Sequence, residues 1–341
     1  MGAATVDRVR RSSEFALIRR YFAPLAASSP AALGLVDDAA RIVPEAGRDL
    51  IVTTDTIVEG VHFPEGEAPD HVARRLMRVN LSDLAAKGAR PEGYLLNTAW
   101  TAAIDDGWIE TFAGALAGEQ ARYGIVLAGG DTVSTPGPLT LTLTAFGSVP
   151  HGRALLRSDA AAGDIVFVSG PIGDGLFGLW AVQGRDLPGA APGDREFLAD
   201  AFRHPEPRLA LGMALTGESD GPRLAHGCAD ISDGLLADLG HVCEASGVGA
   251  VVDMAAVPLS AAARRIVAAR PDLLAEALAG GDDYELVFTA PTAHAAAIAA
   301  AGRACGTEVA AIGRIVTGTG VDLRDPTGRS VILTRRGFSH A

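Results

Sequence analysis

Asp70-His71-Val72-Ala73-Arg74-Arg75-Leu76-Met77-Arg78-Val79-Asn80-Leu81-Ser82-Asp83-Leu84-Ala85-Ala86-Lys87-Gly88 reads as one helix, with the glycine as its C-cap and Pro91 beyond it. Before it, the apolar run Leu50-Ile51-Val52 leads into Thr53-Thr54-Asp55, a strand with its acid at the carboxyl end. After it, Tyr94 to Trp100 is a second strand candidate. Strand and helix alternating in this way set the class as α/β or α+β. Asn80, Asp83 and Lys87 fall at i, i+3 and i+7, so one helix face carries all three. Asp is a poor residue for a helix interior. An ion pair to Lys87 at i+4 is one account of Asp83; a carboxylate facing a pocket is the account we favour.

Working outward, Glu14 to Phe22 places Phe15, Ile18 and Phe22 on one helical face, with Pro24 as its end and residues 26–32 as a mobile connector. Trp108, Phe112 and Leu116 mark a further helix, and Leu139-Thr140-Leu141-Thr142-Leu143-Thr144 alternates as a half-buried strand should. His151-Gly152-Arg153 reads as a hinge. A chain of 341 residues outgrows a single core, so two domains are expected, 1–150 and 151–341. The second half offers a strand (Asp164 to Ser169), a glycine-rich turn, and helices near 196–216 and 235–246. Strands follow over Tyr284 to Thr289, Glu308 to Val316 and Val321 to Leu333. Ser82-Asp83 and Gly130-Asp131 are spaced much as Ser232-Asp233 and Gly281-Asp282 are, a faint echo that chance explains more readily than duplication.

Hydrophobic residues at 48% and charged residues at 21% indicate a folded globular protein. No long apolar run and no basic-then-apolar leader is read, which points to a cytoplasmic protein without membrane contact. Cys228, Cys243 and Cys305 lack metal-ligand spacing and read as reduced thiols. A net charge of −12 argues against nucleic-acid binding. Lys87 is the only lysine, so neither a P-loop nor a protein-kinase strand lysine is present. Phosphate charge must then be handled by metals, arginine and backbone amides.

Acids gather at Asp37-Asp38, Thr53-Thr54-Asp55, Asn80-Leu81-Ser82-Asp83, Gly129-Gly130-Asp131-Thr132, Asp230-Ile231-Ser232-Asp233 and Gly281-Asp282-Asp283. Like charges brought together repel, and hard cations such as Mg²⁺, which bridge carboxylates to phosphates, relieve them. A Mg-nucleotide enzyme is the expectation. Paired glycines at 129–130 let amides approach a phosphate, with a hairpin turn as the alternative. Asp230 to Gly234 resembles a helix N-cap, and Arg157 beside the hinge suits a phosphate clamp. Gly173-Asp174-Gly175-Leu176-Phe177-Gly178 is a literal G-x-G-x-x-G. The second strand and acid of a dinucleotide fold do not follow it, so a tight strand-to-helix turn is favoured over an NAD-dependent oxidoreductase.

Taken in order, these motifs resemble the thiamine-monophosphate kinase family, of the superfamily that includes aminoimidazole ribonucleotide synthetase and selenophosphate synthetase. The likeness runs through Gly34 to Ala40, Thr53 to Phe63 with Val58-Glu59-Gly60-Val61-His62-Phe63, Asn80 to Ala89, Gly129 to Thr132, Leu155-Leu156-Arg157-Ser158, Asp230 to Leu235 and Gly280 to Leu286. It implies an N-terminal domain lending strands to a dimeric β-barrel, a sandwich-like C-terminal α/β domain, and a homodimer. It implies ATP-dependent transfer of the γ-phosphate to thiamine phosphate; because both substrates are anionic, we expect several Mg²⁺ to assist and the transfer to be direct and in line, without a phospho-enzyme. Asp38, Thr53, Thr54, Asp55, Asp83, Asp131, Asp230 and Asp233 are the implied metal ligands. Gly130, Asp131, Arg157 and Ser232 would meet ATP, and His62, Asp282 and Phe338 the thiamine phosphate. Two positions depart from the family pattern: Val36, where glycine is usual, and Asp282, where glutamate is common. Another ATP-dependent synthetase of the superfamily is the nearest rival, although no Cys precedes Cys228 as selenophosphate chemistry would want.

Overall fold

The computed structural model describes residues 11–217, 221–331 and 337. Two compact units emerge, one of residues up to Ala46 with Val52–Asn80 and Pro91–Gly147, the other of Gly47–Ile51, Leu81–Arg90 and Ser148 onward.

The first unit is built on a four-stranded sheet of order β1-β4-β2-β3, from β1 (Arg48–Val58), β2 (Arg90–Trp100), β3 (Val126–Ser134) and β4 (Thr140–Pro150); the outer ends of β1, β2 and β4 belong to the second unit. Alternation in β4 came out as read. Leu141 and Leu143 are buried, while the Thr142 and Thr144 hydroxyls bond Thr56 at 2.7 Å and Thr54 at 3.0 Å. Those pairings run in opposite directions along the two chains, so β1 and β4 are antiparallel. β3 lies parallel to β2 with Leu96 opposite Gly130 and Asn97 opposite Asp131. The Gly-Gly-Asp-Thr block is therefore strand, not a hairpin turn.

Helices α3 (Pro69–Lys87) and α4 (Asp106–Tyr123) supply the packing. Asp105 caps α4 by accepting the Trp108 amide at 2.8 Å, and Trp100, Trp108 and Phe112 stack edge and face beneath it. Gly88, at φ 68°, ends α3 where expected. The N-terminal helix departs from expectation. α1 (Glu14–Leu17) passes through a π turn into α2 (Ala23–Ala26), because Pro24 sits in the first turn of α2, where its missing amide costs nothing. Phe15 is exposed whereas Phe22 is buried, and residues 30–35 form a 3₁₀ turn rather than a featureless connector.

In the second unit a six-stranded mixed sheet has the order β10-β7-β9-β5-β8-β6. Its strands are β5 (Ile165–Ser169), β6 (Cys228–Asp230), β7 (Gly249–Asp253), β8 (Leu286–Ala290), β9 (Val309–Val316) and β10 (Gly320–Arg324), the last shorter than the sequence pattern suggested. The helices are α5 (Asp174–Val182), α6 (Asp194–Arg203), α7 (Leu209–Thr216), α8 (Leu235–Ser246), α9 (Ala261–Ala269), α10 (Leu273–Ala279) and α11 (Ala295–Ala304). One apolar cluster joins the sheet to α8 through Val168, Leu239 and Val287; another joins α5, α6, α9 and α10 through Phe177, Leu198 and Ile266. Among the described residues, no helix is long and apolar enough to cross a membrane.

Candidate functional site

In the first unit, the loop Leu35–Ile42 and strands β2 and β3 enclose a cavity of about 580 Å³. Ile18, Phe22, Leu35 and Leu127 give it an apolar wall, and Asp37, Asp38, Gly130 and Asp131 a polar end. Carboxylates from two remote stretches of sequence, Asp37-Asp38 and Asp131, thus line one cavity. Gly130 holds the geometry. Its φ is 152°, and an added Cβ would lie 1.9 Å from the Leu96 carbonyl oxygen, so only glycine lets β3 approach β2 at this register. One residue on, the Asp131 carboxylate accepts the Thr132 amide at 2.8 Å. The Thr132 hydroxyl in turn accepts from Trp100 Nε1 at 2.7 Å and Thr98 Oγ1 at 2.9 Å. At position 36 the family's glycine proves unnecessary: Val36 has φ −117°, and the left-handed backbone falls on Leu33, Gly34 and Leu35 instead.

Along β1 the burial alternates, with Thr53, Asp55 and Ile57 more enclosed than Thr54 and Thr56. The Thr54 hydroxyl, bonded to Leu143 O and Thr144, therefore points away from the face that carries Asp55. Asn80, fully buried, donates to Leu76 O at 2.9 Å and accepts the Asp55 amide at 3.1 Å. Its part is to anchor the strand bearing Asp55. His62 Nδ1 accepts the Val58 amide at 3.1 Å, which places the ring proton on Nε2. Arg75 Nε, donating to His62 O at 3.1 Å, steadies the same turn.

In the second unit, Ser82 Oγ donates to the buried Asp230 carboxylate at 2.9 Å. Lys87 Nζ donates to Cys228 O at 3.4 Å. Arg157 is exposed in a 3₁₀ turn. The 230–234 block does not cap α8 as the sequence suggested. Instead Asp238, inside the helix, accepts the amides of Ser232, Asp233 and Gly234 at 3.0–3.1 Å. Burial and the Asp233 charge push the Asp238 carboxyl up to about 7. Asp233, Asp238 and His241 offer ligand atoms within 4.8 Å of one another. Sequence reading missed the last two, although their i, i+3 spacing puts them on one face of α8.

Asp282 sits at φ 71°, a left-handed conformation that Asp tolerates better than most residues. That backbone gives a reason for Asp where glutamate is common. The neighbouring Asp283 accepts the Gly173 amide at 2.9 Å and the Gly175 amide at 2.9 Å, at the start of α5. The anion-binding end of the G-x-G-x-x-G turn is therefore filled by the protein's own carboxylate. The next element is α6, not a strand, and a Cβ on Gly178 would strike Leu198 O of that helix. Close helix packing, not a dinucleotide, explains these glycines. Phe338 lies outside the described residues; Gly337 before it lies against α8, where a Cβ would be 3.0 Å from Asp233 O.

Residues 36–149 match the N-terminal domain of AIR synthase related proteins, and residues 161–326 match the C-terminal domain of the same group. Thiamine-monophosphate kinase of Caulobacter vibrioides is 42% identical over 333 residues, 96% of this chain and 91% of its own. The crystal structure of thiamine-monophosphate kinase from Stenotrophomonas maltophilia K279a superposes with a TM-score of 0.81 at 39% identity, covering 94% of this chain and 98% of that one. AaThiL complexed with AMPPCP and TMP superposes with a TM-score of 0.75 at 26% identity, over 96% and 97% of the two chains. With its motifs, its two-unit mixed α/β fold and near full-length likeness all in agreement, the chain belongs to the thiamine-monophosphate kinase family.

Proposed function

We propose that this protein transfers the γ-phosphoryl group of ATP to thiamine phosphate, giving thiamine diphosphate and ADP. The observation that carries the reading is the first unit's cavity, where an apolar wall ends in Asp38, Gly130 and Asp131. An adenosine moiety suits the wall, and a metal-bound phosphate chain suits the acids. A relative complexed with an ATP analogue and TMP supports the same pair of substrates.

The donor set is all hard oxygen, which fits Mg²⁺. Asp38, Thr53, Thr54, Asp55, Asp83, Asp131, Asp230 and Asp233 would hold the ions, Thr54 by an oxygen other than its committed hydroxyl. When bound, Mg²⁺ offsets the mutual repulsion of two phosphate-bearing substrates. The residues position. Gly130 exposes backbone to the phosphates, Arg157 and Ser232 meet ATP, and His62 offers Nε2–H to the thiamine phosphate alongside Asp282 and Phe338. The acceptor is already an anion, so no strong general base is required, and transfer is direct and in line.

We assign metal, nucleotide and dimer contacts to residues 1–150 and completion of the site to residues 151–341, in a cytoplasmic homodimer. Incubation with Mg-ATP and thiamine phosphate is expected to yield thiamine diphosphate, with inversion at a chiral γ-phosphate. ADP release without thiamine diphosphate would move the assignment to another synthetase of the superfamily, and retention would overturn direct transfer.

A further inference from the structure

We infer that Asp283 is a positioning residue for the acceptor substrate: clamped on the first amides of α5, it sets the backbone of the 280–285 loop and so the direction of Asp282. The inference rests on the reading of Asp282 as a thiamine-phosphate contact.

The loop is held in an unusual shape. Asp282 at φ 71° and Tyr284 at φ 51° are both left-handed, a strained conformation for a bulky aromatic that persists only where the surroundings impose it. The surroundings do impose it. The Asp282 amide donates to Ser232 O at 2.9 Å, the Tyr284 amide to Ile231 O at 2.8 Å, and the Ile231 amide to Glu285 O at 2.7 Å. Asp283, between the two left-handed residues, accepts from the Gly173 and Gly175 amides at the start of α5. Glu285 ends the loop, buried and bonded to Arg208 Nε at 2.7 Å and Ser169 Oγ at 2.6 Å. Main-chain amides of Asp282 and Tyr284 and the side chains of Asp283 and Glu285 thus hold the loop together, with the Asp282 carbonyl close against Gly175.

The approach is also sterically closed. A Cβ on Gly175 would run into the carbonyl of Asp282, and one on Gly281 into Ser232 O. Desolvation, with Asp174 and Glu285 nearby, pushes the Asp283 carboxyl up, whereas the two amides at the helix start favour its anion. The loop at 232–234 has its own clamp in Asp238. Main-chain bonds join the two loops, but Asp238 holds the 232–234 backbone whether or not Asp283 is clamped, so loss of the Asp283 clamp should fall on the acceptor more than on the nucleotide.

The test measures KM for each substrate, kcat and Tm in Asp283→Asn, Gly175→Ala and Asp282→Ala. Asp283→Asn removes one acceptor oxygen; Gly175→Ala pushes on Asp282 from the same side with the carboxylate intact, and serves if the first variant does not fold. The expected result is a rise of about tenfold or more in KM for thiamine phosphate in both, with KM for ATP changed by less than about threefold. Adding Asp282→Ala to either should cause little further loss, since both act through one group. If Asp282→Ala raises the acceptor KM and neither positioning variant does, this inference falls and the role of Asp282 stands. If Asp282→Ala leaves that KM unchanged, the contact reading falls and takes the inference with it. Equal losses for both substrates, tracking Tm, would show a structural role only and also overturn it.

Discussion

Gly130→Ala tests whether the close approach of β3 to β2 is what shapes the acidic end of the cavity. Ordinary contact for a Cβ begins near 3.4 Å, and this one would lie 1.9 Å from Leu96 O, with Leu96 C and N at 2.7 and 2.9 Å. All three are main-chain atoms of the neighbouring strand, so no side-chain rotation relieves the overlap. Overpacking of this kind costs about 1–3 kcal/mol, and a side chain held at φ 152° adds of the order of 1–3 kcal/mol. Taken together, about 2–6 kcal/mol corresponds to a Tm lower by at least roughly 4 °C for a domain of ordinary size. If the strands part instead, Asp131 moves with them and KM for ATP rises. Gly129→Ala is the internal comparison: its Cβ would meet only Leu95 Cδ2, at 3.4 Å, so its Tm should change by little. Thermal unfolding with steady-state kinetics reads both effects. A Gly130→Ala protein with the parental Tm and the parental kcat/KM for ATP would refute the reasoning.

Asp55→Asn and Asp131→Asn are each expected to lower kcat/KM by at least about 100-fold while circular dichroism and Tm stay near the parental values; near-normal turnover in either would remove it from the site. Arg78 and Glu119 form a buried bidentate pair, Nε to Oε2 at 2.7 Å, so Glu119→Ala should destabilise by about 3–5 kcal/mol in denaturant titration, as loss of one member of a buried ion pair does. At the surface, Asp49 raises the His151 pKa, while the Gly152 amide and then His151 lower that of Asp49. The raised His favours folding below its unfolded value and loses that as pH climbs through the folded one; the depressed Asp favours folding above its unfolded value. NMR titration should find His151 above 6.5, falling back toward it in Asp49→Asn. Burial pushes the Cys228 and Cys243 thiols up to about 12 and 11, so a thiol reagent should modify only Cys305 before unfolding.

Legibility followed contrast. The Leu-Thr alternation of β4 and the capped, periodic helix ending at Gly88 were readable because apolar and polar positions differ sharply along them. The alanine-rich helices α9, α10 and α11 were not read, since a run such as Ala295 to Ala304 has almost no polar face to set the period. At β3 the Gly129-Gly130 pair suggested a phosphate approach, or alternatively a turn, because glycine has weak strand preference; its place as strand comes from pairing with β2, a contact no local window contains. The same holds for the partition. Gly47–Ile51 and Leu81–Arg90 cluster with the second unit, and a single linear boundary near 151 has no way to express that.

At the site, sequence reading found the acid clusters but not the main-chain amides on which Asp238 and Asp283 are spent. Every helix begins with amides that lack intrahelical partners, and an anion there is favoured whether it belongs to a substrate or to the protein. Gly173 to Gly178 advertised such a vacancy, yet Asp283, about 110 residues away in sequence, fills it. At α8 the apparent capping residues Ser232 and Asp233 are instead donors, through their amides, to Asp238. A carboxylate that spends its lone pairs on main-chain amides has less left for a cation, whereas Asn80 holds Asp55 by its amide and not through its carboxylate.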